Sequence, residues 1–323
     1  MTARPPLRIG TRSSALALWQ TEYVRECLRR AGHQTERVEI RTTGDLVQRV
    51  PLSQVGSRAL FTKQIDDAML EGRIDLAVHS LKDLPTALPP GIAVGAVGER
   101  EDPRDALVGR GPLRWDDLPP GAVIATSSLR RRAQLLHGRP DLRVIDIRGN
   151  VDTRLGKLDG HPEWTAVVLA CAGLVRLGFG DRIGERLPAD LMLPAPGQGA
   201  LAVTARSDDS TALLAARTAL HHEPTALAVS AERGFLRRLE GGCQVPIGAL
   251  AIVATPDATL RLQGRVLSLL GDRAVEGTET GEVADEAQAS ALGVALAERL
   301  LGQGAAAILA EIRASAARVE TPS

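Results

Sequence analysis

The chain has 323 residues, 39 Lys+Arg against 39 Asp+Glu, and 44% hydrophobic against 24% charged residues. That length exceeds one comfortable hydrophobic core and predicts two or three domains. A formal net charge of zero argues against a general nucleic-acid or membrane-surface binder.

The N-terminus, Met1 to Leu7, has no apolar signal core. Leu7 to Gly10 reads as a short strand, and Ser13-Ser14 as the cap of a helix whose apolar residues Leu16, Trp19, Tyr23 and Cys27 recur at three- and four-residue steps. Arg12 therefore sits at a strand-to-helix turn beside free backbone amides, a ready anion site. Val38 to Arg41 reads as a strand. A polar stretch runs from Thr42 to Arg58, long for a connection and so expected to be functional or mobile. Leu60 to Leu70 reads as a helix with Phe61 and Lys63 at its start.

Ile74 to Ser80 is a buried strand by its apolar run, ending in Leu81-Lys82-Asp83-Leu84-Pro85. Ligands of open α/β sheets bind beyond the carboxyl ends of strands, where Asp83 is placed. By itself such an Asp is more often a turn former. Glu99 to Asp105 is a charged, proline-bearing break and reads as a crossing between domains. Ala122 to Ala125 is a strand, and Thr126-Ser127-Ser128 caps a helix from Leu129 to His137. Arg130, Arg131 and Arg132 in its first turn oppose the helix dipole. An anionic ligand there would offset that cost, although a solvated arginine run needs none.

Leu142 to Ile147 is a strand ending in Arg148-Gly149-Asn150. A helix with Arg154 and Lys157 follows, then a strand over Ala166 to Ala170 with Arg176 beyond it. Three successive strand ends thus deliver arginines, which points to recognition of carboxylate or phosphate. Codon bias is the competing reading, since only Lys63, Lys82 and Lys157 of the basic residues are lysines. The longest apolar run, Ala166 to Val175, is too short to span a bilayer.

Leu193 to Gly199 is a second break before a strand at Ala200 to Ala205, as if the chain returned to its first domain. Helices are predicted over Thr211 to Leu220 and Thr225 to Leu239. Strands follow at Ala249 to Ala254, Thr259 to Leu267 and Ala274 to Thr280, then helices at Asp285 to Leu301 and Ala305 to Ala317, the order of a small α+β domain. Between them, Leu239-Glu240-Gly241-Gly242-Cys243-Gln244-Val245-Pro246 puts one thiol in a loop that can be neither helix nor interior strand. Three widely spaced cysteines, Cys27, Cys171 and Cys243, offer neither a disulfide framework nor a metal site, and the chain reads as cytoplasmic and reduced.

The cysteine loop resembles the cofactor-attachment loop of the porphobilinogen deaminase (hydroxymethylbilane synthase) family. Four further motifs match in order: Gly10 to Ser13 with Leu16 to Gln20; Ala77 to Ser80 with Lys82-Asp83; Ser127 to Arg131; and Arg148-Gly149-Asn150-Val151 with Thr153-Arg154. The resemblance implies an α/β chain of two doubly wound, periplasmic-binding-protein-like domains with a hinge and cleft, plus a small α+β C-terminal domain. The expected bounds are 5–98 with 200–219, 103–195, and 223–318. It implies a transferase that joins four porphobilinogens head to tail, with loss of ammonia, into hydroxymethylbilane for tetrapyrrole (haem) biosynthesis. A covalent dipyrromethane would be attached at Cys243. Asp83 would be catalytic; Asp83, Lys82, Ser128, Arg130 and Arg131 would hold the cofactor; Arg12, Ser14, Phe61, Arg148, Arg154 and Arg176 would hold substrate. No metal, nucleic acid or membrane partner is implied, and a monomer is expected. Gln54, Arg58 and Asp152 depart from the family pattern. Two rivals are a non-enzymatic two-domain anion receptor and a cysteine-nucleophile hydrolase; the latter needs a histidine base, for which His79, His221 and His222 have no motif context.

Overall fold

In the computed structural model, residues 5–42, 62–239, 245–254 and 259–320 are described. In chain order the first elements are β1 (Leu7–Thr11), α1 (Ala15–Arg30), β2 (Thr35–Glu39), α2 (Lys63–Leu70), β3 (Leu76–Ser80), β4 (Ile92–Val97) and β5 (Asp105–Val108). Then come β6 (Val123–Ala125), α3 (Leu129–Gly138), β7 (Arg143–Ile145), α4 (Val151–Gly160), β8 (Ala166–Ala170), α5 (Cys171–Arg176), β9 (Glu185–Arg186) and β10 (Leu201–Arg206). The rest is α6 (Ser210–Leu220), α7 (Glu223–Arg238), β11 (Ile247–Ala254), β12 (Thr259–Leu267), β13 (Ala274–Glu282), α8 (Glu286–Leu300) and α9 (Ala306–Glu320).

The first sheet has the order β2-β1-β3-β10-β4 and the second β7-β6-β8-β5-β9. They repeat one plan. Three strands run parallel, and the fourth is antiparallel to both its neighbours: β10 in the first sheet, β5 in the second. Each of these odd strands directly follows one of the two crossings between the sheets. Apolar residues cover both faces of each. Ile9, Val78 and Val203 pack with Val24 and Leu28 of α1, while Ala77 packs with Ile65 and Met69 of α2. Ala125 and Val167 pack with Leu155 and Leu158 of α4, while Ile124 and Val168 pack with Leu135 of α3. Burial on two faces is why β8 is an unbroken apolar run and β3 is apolar from Leu76 to Val78.

The third sheet, β11-β12-β13, is an antiparallel meander with one face on α7, α8 and α9, whose Phe235, Leu296, Leu300 and Ile308 share a core with Leu260 and Leu262. The outer strand β13 alternates along its length and carries Glu276, Glu279 and Glu282, charges that suit an edge. The stretch Glu286–Ser315 is long and apolar enough to match a membrane span at a mean hydropathy of 1.3, yet it turns at Gly304 (φ +113°) and puts Leu296, Leu300 and Ile308 into this core.

Four expectations are corrected. The second strand covers Thr35–Glu39 and not 38–41, because pairing with β1 sets Leu7 opposite Thr35. The described part of the helix expected from Leu60 starts at Lys63. Ile92–Val97 is a strand that sequence reading passed over. Asp105–Val108, placed at the end of a charged break, is an inner strand of the second sheet.

Candidate active site

In the first sheet the chain leaves β1 for one side and arrives at β3 on the other, so a crevice opens at the carboxyl ends of these two neighbours. Arg12, Ser14, Gln20, His79, Ser80 and Asp83 line it. Ser14 caps α1 by accepting a hydrogen bond from Ala17 N (3.3 Å). Gln20 Nε2 donates to Ser80 Oγ (2.8 Å), which ties α1 to the end of β3. Ser80 leads into a single 3₁₀ turn, Leu81–Asp83, closed by Leu84 N on Leu81 O (3.1 Å) and held to the returning chain by Leu81 N on Ala200 O (3.0 Å). Leu81 is buried beneath, and the turn leaves Asp83 exposed at the mouth of the crevice. His79 is buried against Thr204 Oγ1 (3.2 Å); burial, then the Arg12 charge, push its pKa down to about 4, so it is neutral at physiological pH.

A second cavity adjoins the first, sharing Gln20 and Ser80, and spans the two sheets. Lys82 faces it from one side; Arg131, Arg154 and Arg176 face it from the other. Burial pushes the Lys82 ammonium down to about 8, against the pull of Asp83 and Asp105; it donates to Gln198 Oε1 (3.3 Å). Burial, then Arg131 and Arg148, push Arg154 down to about 10; its Nε donates to Gly149 O (2.8 Å). Arg176 donates to Gly199 O (2.7 Å) and lies 5.6 Å from the centre of the Trp19 indole, so it bridges the two sheets. Lys82, Arg154 and Arg176 are thus partly desolvated cations held by neutral oxygens, with unfilled capacity for anions.

Arg130 and Arg131 are held differently. Arg130 Nη1 donates to Asp105 Oδ2 (2.7 Å) and Leu193 O (2.6 Å); Arg131 donates to Asp105 Oδ1 (2.8 Å) and Val168 O (3.0 Å). All three side chains are buried. Burial alone would raise the Asp105 carboxyl, but the two arginines overcome it and hold the group well below the usual carboxylate range. An internal carboxylate therefore offsets the cost of cations at the start of α3. Arg131 still reaches the cavity wall, whereas Arg130 does not line it.

Of the remaining predicted residues, Ser128 is the cap of α3, accepting from Arg131 N (3.4 Å), and lines neither cavity. Neither does Arg148, whose carbonyl accepts from Lys157 Nζ (2.9 Å). Cys243 and Phe61, with Gln54 and Arg58, fall outside the described residues. Sequence reasoning missed Asp105, Gln198, Arg100 and Glu232. Gln198 had a weak signal, its place between Gly197 and Gly199 in the second break; Asp105 had none, since its partners are remote in sequence.

Two family models match: "Porphobilinogen deaminase, dipyromethane cofactor binding domain" over residues 7–213, and "Porphobilinogen deaminase, C-terminal domain" over 226–302. Among curated relatives, the porphobilinogen deaminase of Geobacter metallireducens is 52% identical over 308 residues, 95% of this chain and 94% of the relative. That of Desulforudis audaxviator is 52% identical over 310 residues (95% and 98%), and that of Moorella thermoacetica 47% over 317 (97% and 99%). Among solved structures, the methionine-binding protein MetQ is similar at 12% identity and a TM-score of 0.42, covering 66% of this chain and 89% of that one.

Proposed function

The chain belongs to the porphobilinogen deaminase family, an enzyme of tetrapyrrole biosynthesis that acts on porphobilinogen and carries a dipyrromethane cofactor, and from that premise we propose the chemistry of its cleft. It is a transferase that condenses four porphobilinogens head to tail and releases hydroxymethylbilane. Each condensation forms one carbon–carbon bond between an aminomethyl carbon and a pyrrole α-carbon. It expels one ammonia and loses the α-proton; water ends the series.

The carrying observation is the exposed Asp83 carboxylate standing beside a cavity whose cations are Lys82, Arg131, Arg154 and Arg176. This donor set fits a dipyrromethane, which brings several carboxylates. Bound through Cys243, the cofactor supplies the free α-carbon that receives the first substrate. Lys82 and Arg131 are placed to hold its acetate and propionate arms, with Ser128 and Arg130 supporting Arg131 from behind. Arg12 and Ser14, at the amino end of α1, are placed to hold the arms of an incoming pyrrole. Arg148, Arg154 and Arg176 extend the same task to a lengthening polyanion. Asp83 stabilises the cation that develops when ammonia departs and accepts a proton as aromaticity returns. The two thiols among the described residues, Cys27 and Cys171, suit no such attachment. Burial pushes Cys171 up to about 12 and also raises Cys27, so neither provides much thiolate at neutral pH. We further propose a cytoplasmic monomer; the balanced charge supports the absence of nucleic-acid and membrane-surface partners.

The test is intact mass. Protein from cells that make porphobilinogen should exceed the chain mass by two porphobilinogens less two ammonias. Cys243→Ser should lack the increment; Cys27→Ser and Cys171→Ser should keep it. An unmodified wild-type mass would sink the assignment.

A further inference from the structure

We propose that Gln198 is a positioning residue for the condensation: its side-chain amide ties Lys82, next to Asp83, to Asp105 and so to Arg131 across the cleft. The proposal rests on the cleft chemistry above. Gln198 is 1% exposed and lies on the crossing back to the first sheet. Its Nε2 donates to Asp105 Oδ1 (2.8 Å) and Pro103 O (2.8 Å), and its Oε1 accepts from Lys82 Nζ (3.3 Å). Its backbone carbonyl accepts from Arg100 Nε (2.9 Å). The amide must face this way round, because a carboxylate stands on one side and an ammonium on the other.

Glutamine suits this place by chemistry. The position needs two donors toward the second sheet and an acceptor toward the first, which a carboxylate or a thioether cannot supply together. The crossing is also closely packed. Gly197 and Gly199 have φ of +76° and +90°; a β-carbon on Gly197 would stand 2.6 Å from Leu81 Cδ2, and one on Gly199 would strike the Glu101 carbonyl. Leu81 opens the turn that carries Lys82 and Asp83. Gln198 is therefore fixed against the catalytic turn by backbone and reaches the arginine pair by side chain. Among the described residues it is the acceptor of the Lys82 ammonium, so without it the long lysine stem would be free to swing.

The experiment is a double-mutant cycle on kcat/KM with Gln198→Met, Lys82→Met and the pair, each checked by intact mass for cofactor. Misplacing a reacting group by about 1 Å can cost on the order of 100-fold, and Gln198→Met is expected to lose about tenfold or more. Because Gln198 acts through Lys82, the pair should be within about threefold of Lys82→Met alone. Multiplicative losses, or wild-type kcat/KM in Gln198→Met, would overturn the proposal, since a residue that merely fills the crossing predicts one or the other. If Gln198→Met does not fold, Gln198→Asn takes its place; it keeps the amide but cannot span from Lys82 to Asp105. If Lys82→Met carries no cofactor, the same non-additivity is required of the fraction loaded. Asp83→Asn in the same series separates the two ideas: its wild-type turnover would refute the cleft chemistry, whereas a multiplicative cycle beside an inactive Asp83→Asn refutes only Gln198.

Discussion

Lys82 and Asp83 are adjacent in sequence, but a single tight turn sends them to different environments, the ammonium into the cation-lined cavity and the carboxylate to its mouth. Asp83→Asn keeps the shape and removes the charge, and should cost about 10²–10⁴ in turnover on folded, cofactor-bearing protein; steady-state rates near wild type would remove Asp83 from the chemistry. Asp66 shows what burial does without a cation. On α2 its carboxyl is pushed by desolvation up to about 6 from 3.8. A raised folded-state value means stability that is fully present below about 4 and lost as pH rises through 6. Asp66→Asn should therefore stabilise the protein at pH 7.5, on the order of 1–3 kcal/mol, and change little at pH 4. His79 has the opposite sign. Its folded value near 4 lies below 6.5, so its contribution is present above 6.5 and lost as pH falls toward 4. Thermal melts of both proteins across this range should show the acid-side loss more steeply in Asp66→Asn; parallel curves would refute the assignment.

The decisive elements are the two crossings, since β5 and β10 each enter their sheet antiparallel to both neighbours. The Gly197-Gln198-Gly199 crossing packs on Leu81 and on the Glu101 carbonyl. Gly199→Ala combines a left-handed backbone, about 1–2 kcal/mol for a side-chain-bearing residue, with a collision against backbone that cannot yield. We expect a loss of at least that size in chemical denaturation, together with lower turnover; unchanged stability would show that the crossing can move. Helix α7 acts on the same region from the third sheet. Arg233 donates to the carbonyls of Leu84, Pro85 and Thr86, immediately beyond the Asp83 turn (the Pro85 contact is 2.7 Å).

Across the whole molecule, Glu232 of α7 is the junction. Its buried carboxylate accepts from Arg100 Nη1 (2.7 Å) and Gly197 N (2.6 Å) at the two crossings, and from Ala251 N (2.8 Å) in the third sheet. Removing one partner of a buried pair costs about 3–5 kcal/mol because the other charge stays buried. Glu232→Leu should thus lower stability by that order and split calorimetric unfolding into two transitions, the third sheet melting apart from the rest. A single transition at the wild-type temperature would show that apolar packing alone couples the sheets.

Much of this was legible along the chain because it is local. Apolar runs marked β3 and β8, capping residues marked α1 and α3, and glycine with proline marked the breaks, each signal lying within a few residues of its effect. Motif resemblance carried the family and the cofactor, since Lys82-Asp83 and the Cys243 loop are short and chemically distinctive. What tertiary structure decided was pairing over distance. The second strand moved to Thr35–Glu39 because β1 sets its register, and Asp105 became an inner-strand carboxylate because Arg130 and Arg131 meet it there. Gln198 became a bridge because the crossing that carries it meets Asp105, 93 residues away in sequence, and the second strand's register is likewise set at a distance. Local propensity fixes which kind of element forms and which face is apolar. Which buried charge meets which partner is fixed only when the sheets close, because desolvation makes an unpaired charge costly and so selects the partner in space, regardless of separation in sequence.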